Sequence, residues 1–160
     1  MGTKVVVGIS DMKVSRSPEE EIVTYSLGSC LGLVIYDPAS GIGGMIHCML
    51  PLSGSDPVKA QKTPFMYTDT GVVLLLKTLF EMGASKKNLI VKAAGCSKIL
   101  DEKGLFNIGE RNYTVMRKIL WKNNILITSE SIGGSVSRTL TLYMAGGRTT
   151  IKTAGVETEF

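Results

Sequence analysis

The fold is decided by residues 26–50, which read SLGSCLGLVIYDPASGIGGMIHCML. Two apolar runs, residues 31–36 and 45–50, flank a segment of turn-forming residues, 37–41. Proline presets φ, aspartate caps a turn locally and glycine accepts positive φ, so this segment favours a tight reversal of the chain. The pattern of run, turn and run predicts one β-hairpin.

This hairpin would bring a thiol and an imidazole together. A bend centred near Ala39 and Ser40 pairs residues whose numbers sum to about 79, so His47 would face the segment just after Cys30. Paired residues on neighbouring strands have Cβ atoms roughly 5 Å apart. Because strand side chains alternate between faces, His47 and Cys48 point to opposite sides, and only one of them can face Cys30.

Cys30 and His47, the only histidine of the chain, form a candidate catalytic pair. A free thiol has a pKa of about 8.5, and a neighbouring imidazole lowers that pKa by stabilising the thiolate, which is the nucleophilic form. Gly28 and Gly32 flank the cysteine and permit a tight turn. The alternative is a structural contact, since cysteine is among the most buried residue types.

Length and composition are those of an ordinary globular domain. The 160 residues are 44% hydrophobic and 20% charged, and we expect a single domain over residues 1–160. The strongest apolar run, residues 72–76, is too short to span a bilayer, and the amino terminus lacks the pattern of a signal peptide. The sequence therefore predicts a cytoplasmic protein that is not inserted in a membrane.

Charge and cysteine content argue against several classes of function. The net charge is +4, but the basic residues are scattered without interleaved aromatics, so we expect no nucleic-acid partner. The cysteines, Cys30, Cys48 and Cys96, have no CxxC spacing, which favours free thiols over disulfides. Because His47 and Cys48 diverge, they are poorly placed to share a zinc ion. We therefore expect no metal and no cofactor.

The predicted strands and helices are grouped along the chain and do not alternate regularly. This order indicates an α+β fold with mostly antiparallel sheets and two main helices. The helices are expected at residues 70–82, with Asp69 as N-cap and Gly83 at the end, and at residues 109–123. Segments 51–64 and 100–108 are predicted to be irregular. Besides the hairpin, strands are expected at 4–9, 12–15 as an edge strand, 22–26, 88–94, 125–129, 139–144 and 148–153.

Several short motifs together resemble one known family. They are Leu27-Gly28-Ser29-Cys30, Tyr36-Asp37, Gly44-Met45-Ile46-His47, and Ile132-Gly133-Gly134 with Arg138 after it, preceded by Thr24. With these motifs the chain resembles the CheD family of chemoreceptor glutamine deamidases over residues 4–153. The specific part is the Gly-Ser-Cys turn paired with Met-Ile-His. The chain departs from the family pattern at residues 94–96, where Ala-Gly-Cys stands in place of a Gly-Gly-Ala-like stretch.

The resemblance implies a three-layer α/β/β sandwich and a catalytic site of Cys30, His47 and Thr24, with Thr24 orienting the imidazole. The residues that it assigns to substrate binding are Gly28, Ser29, Gly133 and Gly134. It implies a protein substrate, namely glutamine side chains on the cytoplasmic domains of chemoreceptors. It also implies a regulatory partner, the CheC phosphatase, which competes with receptors for the same surface.

The chemistry of these residues favours the same reaction. Cys30 would attack the amide carbon, backbone N–H groups of Ser29 and Cys30 would stabilise the oxyanion, and His47 would carry the proton to ammonia. Other cysteine acyl-transfer enzymes stay open at this point: a protease, a transglutaminase or a glutamyl methylesterase. So do a non-catalytic adaptor that activates the phosphatase and a thiol redox sensor, although Cys48 is expected on the wrong side for the latter.

Overall fold

The computed structural model describes residues 2–98 and 106–160, which form ten β-strands and three α-helices. The strands are β1 (Thr3–Val6), β2 (Asp11–Ser15), β3 (Glu20–Leu27), β4 (Leu31–Asp37), β5 (Ile42–Cys48), β6 (Ile90–Gly95), β7 (Ser129–Ile132), β8 (Arg138–Tyr143), β9 (Arg148–Thr153) and β10 (Val156–Glu159). The helices are α1 (Pro57–Lys62), α2 (Thr68–Met82) and α3 (Ile108–Lys122).

The strands form two five-stranded sheets. The outer sheet has the order β1-β3-β8-β9-β10, and the central sheet has the order β2-β5-β4-β6-β7. In the described ranges the pairs β1–β3 and β6–β7 are parallel, and the other neighbours are antiparallel. The strand 12–15 was expected at an edge, and β2 lies at the edge of the central sheet.

The central sheet is covered on both faces. Leu31, Leu33 and Ile35 of β4 pack in one cluster with residues of α2 and α3, whereas Val34 and Tyr36 pack in another with residues of the outer sheet. This alternation follows from the period of two in a strand, and the cover on both faces explains why every residue of β4 and β5 is buried. The order of layers is helices, central sheet, outer sheet. The predicted α+β class and three-layer α/β/β sandwich with two main helices are confirmed.

The register of the central hairpin agrees with the sequence prediction. Gly32 pairs with His47, and Leu31 pairs with Cys48. His47 therefore lies opposite the segment just after Cys30, as the position of the turn predicted. Its neighbour Cys48 belongs to the cluster on the helix side, so the two side chains leave β5 on opposite faces.

Two predictions about the segment before α2 were wrong. Residues 51–64 are not irregular throughout, because α1 begins at Pro57 and Asp56 caps it by accepting a hydrogen bond from the Lys59 N–H. Helix α2 begins at Thr68, so Asp69 is not its N-cap. The Asp69 carboxylate accepts hydrogen bonds from the N–H and hydroxyl of Ser53 instead, which ties the preceding loop to the helix.

Several further differences concern the carboxyl-terminal half. The strand expected at 125–129 starts later, at Ser129, where the parallel pairing with β6 begins. Strand β10 was not predicted, because its four side chains are all exposed and show no apolar alternation. The expected irregular segment 100–108 lies largely outside the described residues.

The β8–β9 turn offers a matched test of the packing between the sheets. Gly146 and Gly147 both have positive φ, so alanine at either position adopts an unfavourable backbone conformation. A Cβ at Gly146 would meet nothing within 4 Å, whereas a Cβ at Gly147 would overlap the ring of the buried Tyr36. We predict that Gly147→Ala lowers the free energy of unfolding by about 2 kcal/mol more than Gly146→Ala does. Urea denaturation near neutral pH measures the difference, and equal losses would contradict this packing.

Candidate active site

Cys30 lies in the connection between β3 and β4, which we call the cysteine turn (residues 28–30). Its side chain is partly exposed and packs at the edge of the cluster between the two sheets. His47 on β5 points to the same face of the central sheet, since it contacts Thr24 of the outer sheet. The residue directly opposite His47 is Gly32, so no side chain on β4 stands between the imidazole and Cys30. The structure therefore brings both predicted residues to one face of the central sheet, where His47 contacts Thr24.

Thr24 on β3 anchors the imidazole. Its hydroxyl oxygen lies 2.7 Å from the carbonyl oxygen of Val7 and 2.7 Å from Nδ1 of His47. A carbonyl oxygen can only accept, so the Thr24 hydroxyl must donate its single proton in the hydrogen bond to Val7. The hydroxyl oxygen then accepts from Nδ1–H of the ring. This network assigns the proton of the neutral imidazole to Nδ1 and leaves Nε2 as an acceptor.

Burial keeps the imidazole neutral. The His47 side chain has no exposed surface, and its burial lowers the pKa from 6.5 to about 4. Its Nε2 is buried and has no hydrogen-bond partner among the described residues. At neutral pH the ring therefore presents a free lone pair, which is the state that a general base requires.

The expectation of a lowered cysteine pKa was wrong. Burial is the largest influence and raises the pKa of the Cys30 thiol, and the N–H of the same residue opposes this shift only in part. In the resting protein both partners are therefore neutral, a thiol and an imidazole, rather than a thiolate–imidazolium ion pair. Such a pair can still act if the base removes the proton as the sulfur attacks.

Hydrogen bonds to three successive carbonyls hold the cysteine turn in place. The carbonyl of Gly28 accepts from the Ser97 N–H at 2.9 Å, and that of Cys30 accepts from the Cys96 N–H at 2.8 Å. Between them, the carbonyl of Ser29 accepts from the side-chain amide of Asn112 at 3.1 Å. Because each peptide unit is planar and trans, fixing its carbonyl also fixes the N–H on the opposite side.

The strand β6 ends in close contact with this turn. Gly95 has φ +96°, and a Cβ at that position would overlap the carbonyl oxygen of Cys30. Only a residue without a side chain fits there. The departure noted at residues 94–96 thus lies directly against the cysteine turn.

Gly133 and Gly134 lie next to the same loop. The Gly133 N–H donates to the Gly95 carbonyl, and the Gly134 carbonyl accepts from the Lys98 N–H, each at 2.9 Å. Arg138 joins them, because its guanidinium donates to the carbonyls of Gly95 and Gly133. The two glycines therefore border the segment that supports the cysteine turn.

Sequence reasoning missed several residues of this site. Val7 contributes only a carbonyl oxygen, which any residue could supply, so no side-chain pattern marks it. Asn112 is a polar residue on the buried face of α3, and that polarity is the one signal that could have singled it out.

Two features are absent from the described residues, a metal site and a membrane-spanning helix. In the ranges 2–98 and 106–160, no group of three or more His, Cys, Asp or Glu side chains is arranged to hold a metal ion. The helices of the same ranges are all too short or too polar to cross a bilayer.

Similar proteins come from bacterial chemotaxis. Residues 49–153 match the family model of CheD, described as CheD chemotactic sensory transduction. A Solibacter usitatus protein named probable chemoreceptor glutamine deamidase CheD is 44% identical over 98% of this chain and 92% of its own. A Syntrophus aciditrophicus protein named probable chemoreceptor glutamine deamidase CheD 1 is 46% identical over 94% of each chain. Among solved structures, a Neisseria meningitidis protein of the DUF152 family gives a TM-score of 0.46 at 11% identity, over 81% of this chain and 62% of that one.

The buried imidazole predicts a specific dependence of stability on pH. Its pKa is 6.5 when unfolded and about 4 when folded, so between these values the unfolded chain binds more protons. The free energy of unfolding therefore falls as the pH drops from about 6.5 to about 4, by about 3 kcal/mol from this residue once both states are protonated.

The matched control is His47→Asn, whose side-chain N–H can replace Nδ1–H as the donor to Thr24 but does not titrate. Denaturant unfolding of both proteins across this pH range measures the effect, and the carboxylates contribute equally to both curves. The unmodified protein should lose stability more steeply towards low pH. Parallel curves would show that the ring is not held neutral by burial.

Proposed function

This chain belongs to the CheD family, and we propose that it hydrolyses the side-chain amide of glutamine residues on chemoreceptors, producing glutamate and ammonia. The family membership makes it a protein-glutamine glutaminase. The observation that carries the proposed mechanism is the Thr24–His47 pair on the same face as Cys30. It supplies an Nε2 that has no hydrogen-bond partner among the described residues, on the same face of the central sheet as a partly exposed thiol.

In the first step the Cys30 sulfur attacks the amide carbon as its proton passes to Nε2 of His47. A C–S bond forms, and the electrons of the C=O bond move to the oxygen. Because burial disfavours a charged thiolate and a charged imidazole at rest, proton transfer accompanies the attack instead of preceding it. Burial makes the resulting imidazolium more acidic than usual, which favours donation of its proton to the leaving nitrogen. The C=O bond re-forms, the C–N bond breaks, ammonia leaves and a thioester remains on Cys30.

The oxyanion is stabilised by backbone N–H groups of Ser29 and Cys30. The carbonyls of Gly28 and Ser29 are held by hydrogen bonds from elsewhere in the chain, and each shares a peptide plane with one of these N–H groups. The two donors are therefore preorganised, which is the condition under which an oxyanion hole lowers a barrier. The Cys30 N–H already lies close to its own sulfur.

In the second step water hydrolyses the thioester. His47 accepts a proton from water at Nε2, the hydroxide adds to the thioester carbon, and the C–S bond breaks. The proton returns to the sulfur, and the product is a glutamate side chain. Thr24 contributes by keeping the other ring nitrogen protonated throughout, as an orienting residue does in related triads.

The substrate contacts are proposed at Gly28, Ser29, Gly133 and Gly134. All four residues are at least partly exposed, and residues 95–98 lie between the two pairs and hydrogen-bond to both, so the pairs can form one surface next to Cys30. Such a surface suits a helix of a receptor cytoplasmic domain that presents one glutamine side chain.

The CheC phosphatase is proposed to compete for this same surface, as the resemblance to the family implies. The protein is proposed to act as one domain, residues 1–160, in the cytoplasm.

The nucleophile is tested with a receptor cytoplasmic fragment as substrate. Cys30→Ala and Cys30→Ser should abolish ammonia release and the mass increase of a single unit that amide-to-acid conversion produces. His47→Asn should reduce kcat by about two to four orders of magnitude. The matched control is Cys48→Ala, a thiol buried on the helix side, which should keep kcat unchanged.

Retained turnover in Cys30→Ala would refute the thiol mechanism. Peptide mapping separates the other acyl-transfer reactions, because a protease cleaves the chain and a transglutaminase crosslinks it. A non-catalytic adaptor would activate CheC in the absence of any ammonia release from receptor fragments.

The orienting role of Thr24 predicts a contrast between two substitutions. Thr24→Val removes the oxygen that accepts from Nδ1–H, which frees the ring to hold its proton on Nε2, so kcat should fall by about 10- to 100-fold. Thr24→Ser retains the hydroxyl and should restore most of the activity. Steady-state kinetics on the receptor fragment measure both variants. Equal kcat values for valine and serine would contradict the assigned tautomer.

A further inference from the structure

The side chain of Asn112 is fully buried beneath the cysteine turn. Its Nδ2 donates to the carbonyl oxygens of Ser29 at 3.1 Å and of Met49 at 3.2 Å. Its Oδ1 accepts a hydrogen bond from the hydroxyl of Thr68 at 3.0 Å. One side chain on α3 thus satisfies polar groups from three other segments of the chain.

The two carbonyls that Asn112 joins belong to the segments that carry the catalytic pair. Ser29 immediately precedes Cys30, and Met49 follows His47 by two residues. The β4–β5 ladder ends at the pair of Leu31 and Cys48, so the backbone beyond it lacks pairing in that ladder. The amide of Asn112 connects the two segments just past this end.

The chemistry of the amide suits this connection. Both of its N–H groups lie in one plane and point in fixed directions, so the two carbonyls are held at a fixed separation. Their donor is buried, and a carbonyl left without it would lose a hydrogen bond that water cannot replace. The Ser29 carbonyl also shares its peptide plane with the Cys30 N–H, so its position fixes the direction of that donor.

We propose that Asn112 is a positioning residue that holds the Ser29–Cys30 peptide against the end of β5 and so aligns the Cys30 thiol with Nε2 of His47. This inference rests on the proposed function, since it gives Asn112 a role at the same site. Asn112 acts through the backbone of Ser29 and Met49 and touches neither the substrate nor the thiol.

Asn112→Asp tests the role, because the acid has the same shape but at most one O–H to donate in place of two N–H groups. We expect kcat on the receptor fragment to fall by about 10- to 100-fold, with KM changed less than about threefold. The matched control is Thr68→Val. It removes the third hydrogen bond of the same buried group and keeps both bonds to the carbonyls, so kcat should stay within about twofold of the unmodified value.

A double-mutant cycle separates alignment from a merely structural role. The readout is the rate at which iodoacetamide alkylates Cys30 in the folded protein, located by peptide mapping, since Cys48 and Cys96 are buried. His47→Asn should slow alkylation on the order of tenfold when Asn112 is present. In the Asn112→Asp background it should slow alkylation less than about twofold, because the pair is no longer aligned.

Each outcome has a distinct meaning. If His47→Asn slows alkylation equally in both backgrounds, Asn112 does not align the pair and the inference is overturned, whereas the proposed function stands. If His47→Asn has no effect even with Asn112 present, His47 does not activate the Cys30 thiol, and the proposed mechanism is refuted. Should Asn112→Asp not fold, Asn112→Ser enters the same cycle, since its hydroxyl holds one proton and can serve only one carbonyl.

Discussion

A single hydroxyl proton sets the state of the candidate site. The Thr24 hydroxyl donates its only proton in a hydrogen bond to the Val7 carbonyl. In the neutral ring Nδ1 of His47 must therefore be the protonated nitrogen that donates to Thr24, and Nε2 must be unprotonated. The neutral state of the ring comes from burial, which lowers its pKa to about 4. These two constraints together turn a buried histidine into a base with one available lone pair. The proposed acyl chemistry at Cys30 depends on that lone pair.

The arrangement also explains why the resting pair is uncharged. Many thiol enzymes hold a thiolate beside an imidazolium, but here burial raises the pKa of the Cys30 thiol and lowers that of His47. In the proposed mechanism, charge therefore develops only during attack on the amide. The N–H groups of the cysteine turn, which we propose as the oxyanion donors, then act on the oxyanion without having to stabilise a resting thiolate. The supporting bonds from Ser97, Cys96 and Asn112 keep these groups in place.

The sequence was sufficient for the features that depend on local patterns. Turn residues and the period of two predicted the hairpin register, and therefore which residues His47 faces. The role of Thr24 came from the resemblance alone, because threonine in a strand carries no signal of a catalytic role. What could not be predicted depends on tertiary contacts. Asn112 lies far from Cys30 in the sequence. Asp69 is not an N-cap because α2 begins one residue before it, and its carboxylate accepts from Ser53 instead. The cysteine pKa was mispredicted because the degree of burial is a property of the whole fold.

The central claim is that His47 is neutral, with Nδ1 protonated and Nε2 unprotonated. It is tested most directly by ¹⁵N NMR of the imidazole ring. Because the chain has one histidine, its two ring nitrogens can be assigned without ambiguity. At neutral pH the account predicts a protonated-type signal for Nδ1 and an unprotonated-type signal for Nε2, unchanged until the pH approaches about 4. A proton on Nε2 at neutral pH, or a titration near the ordinary value of 6.5, would contradict it.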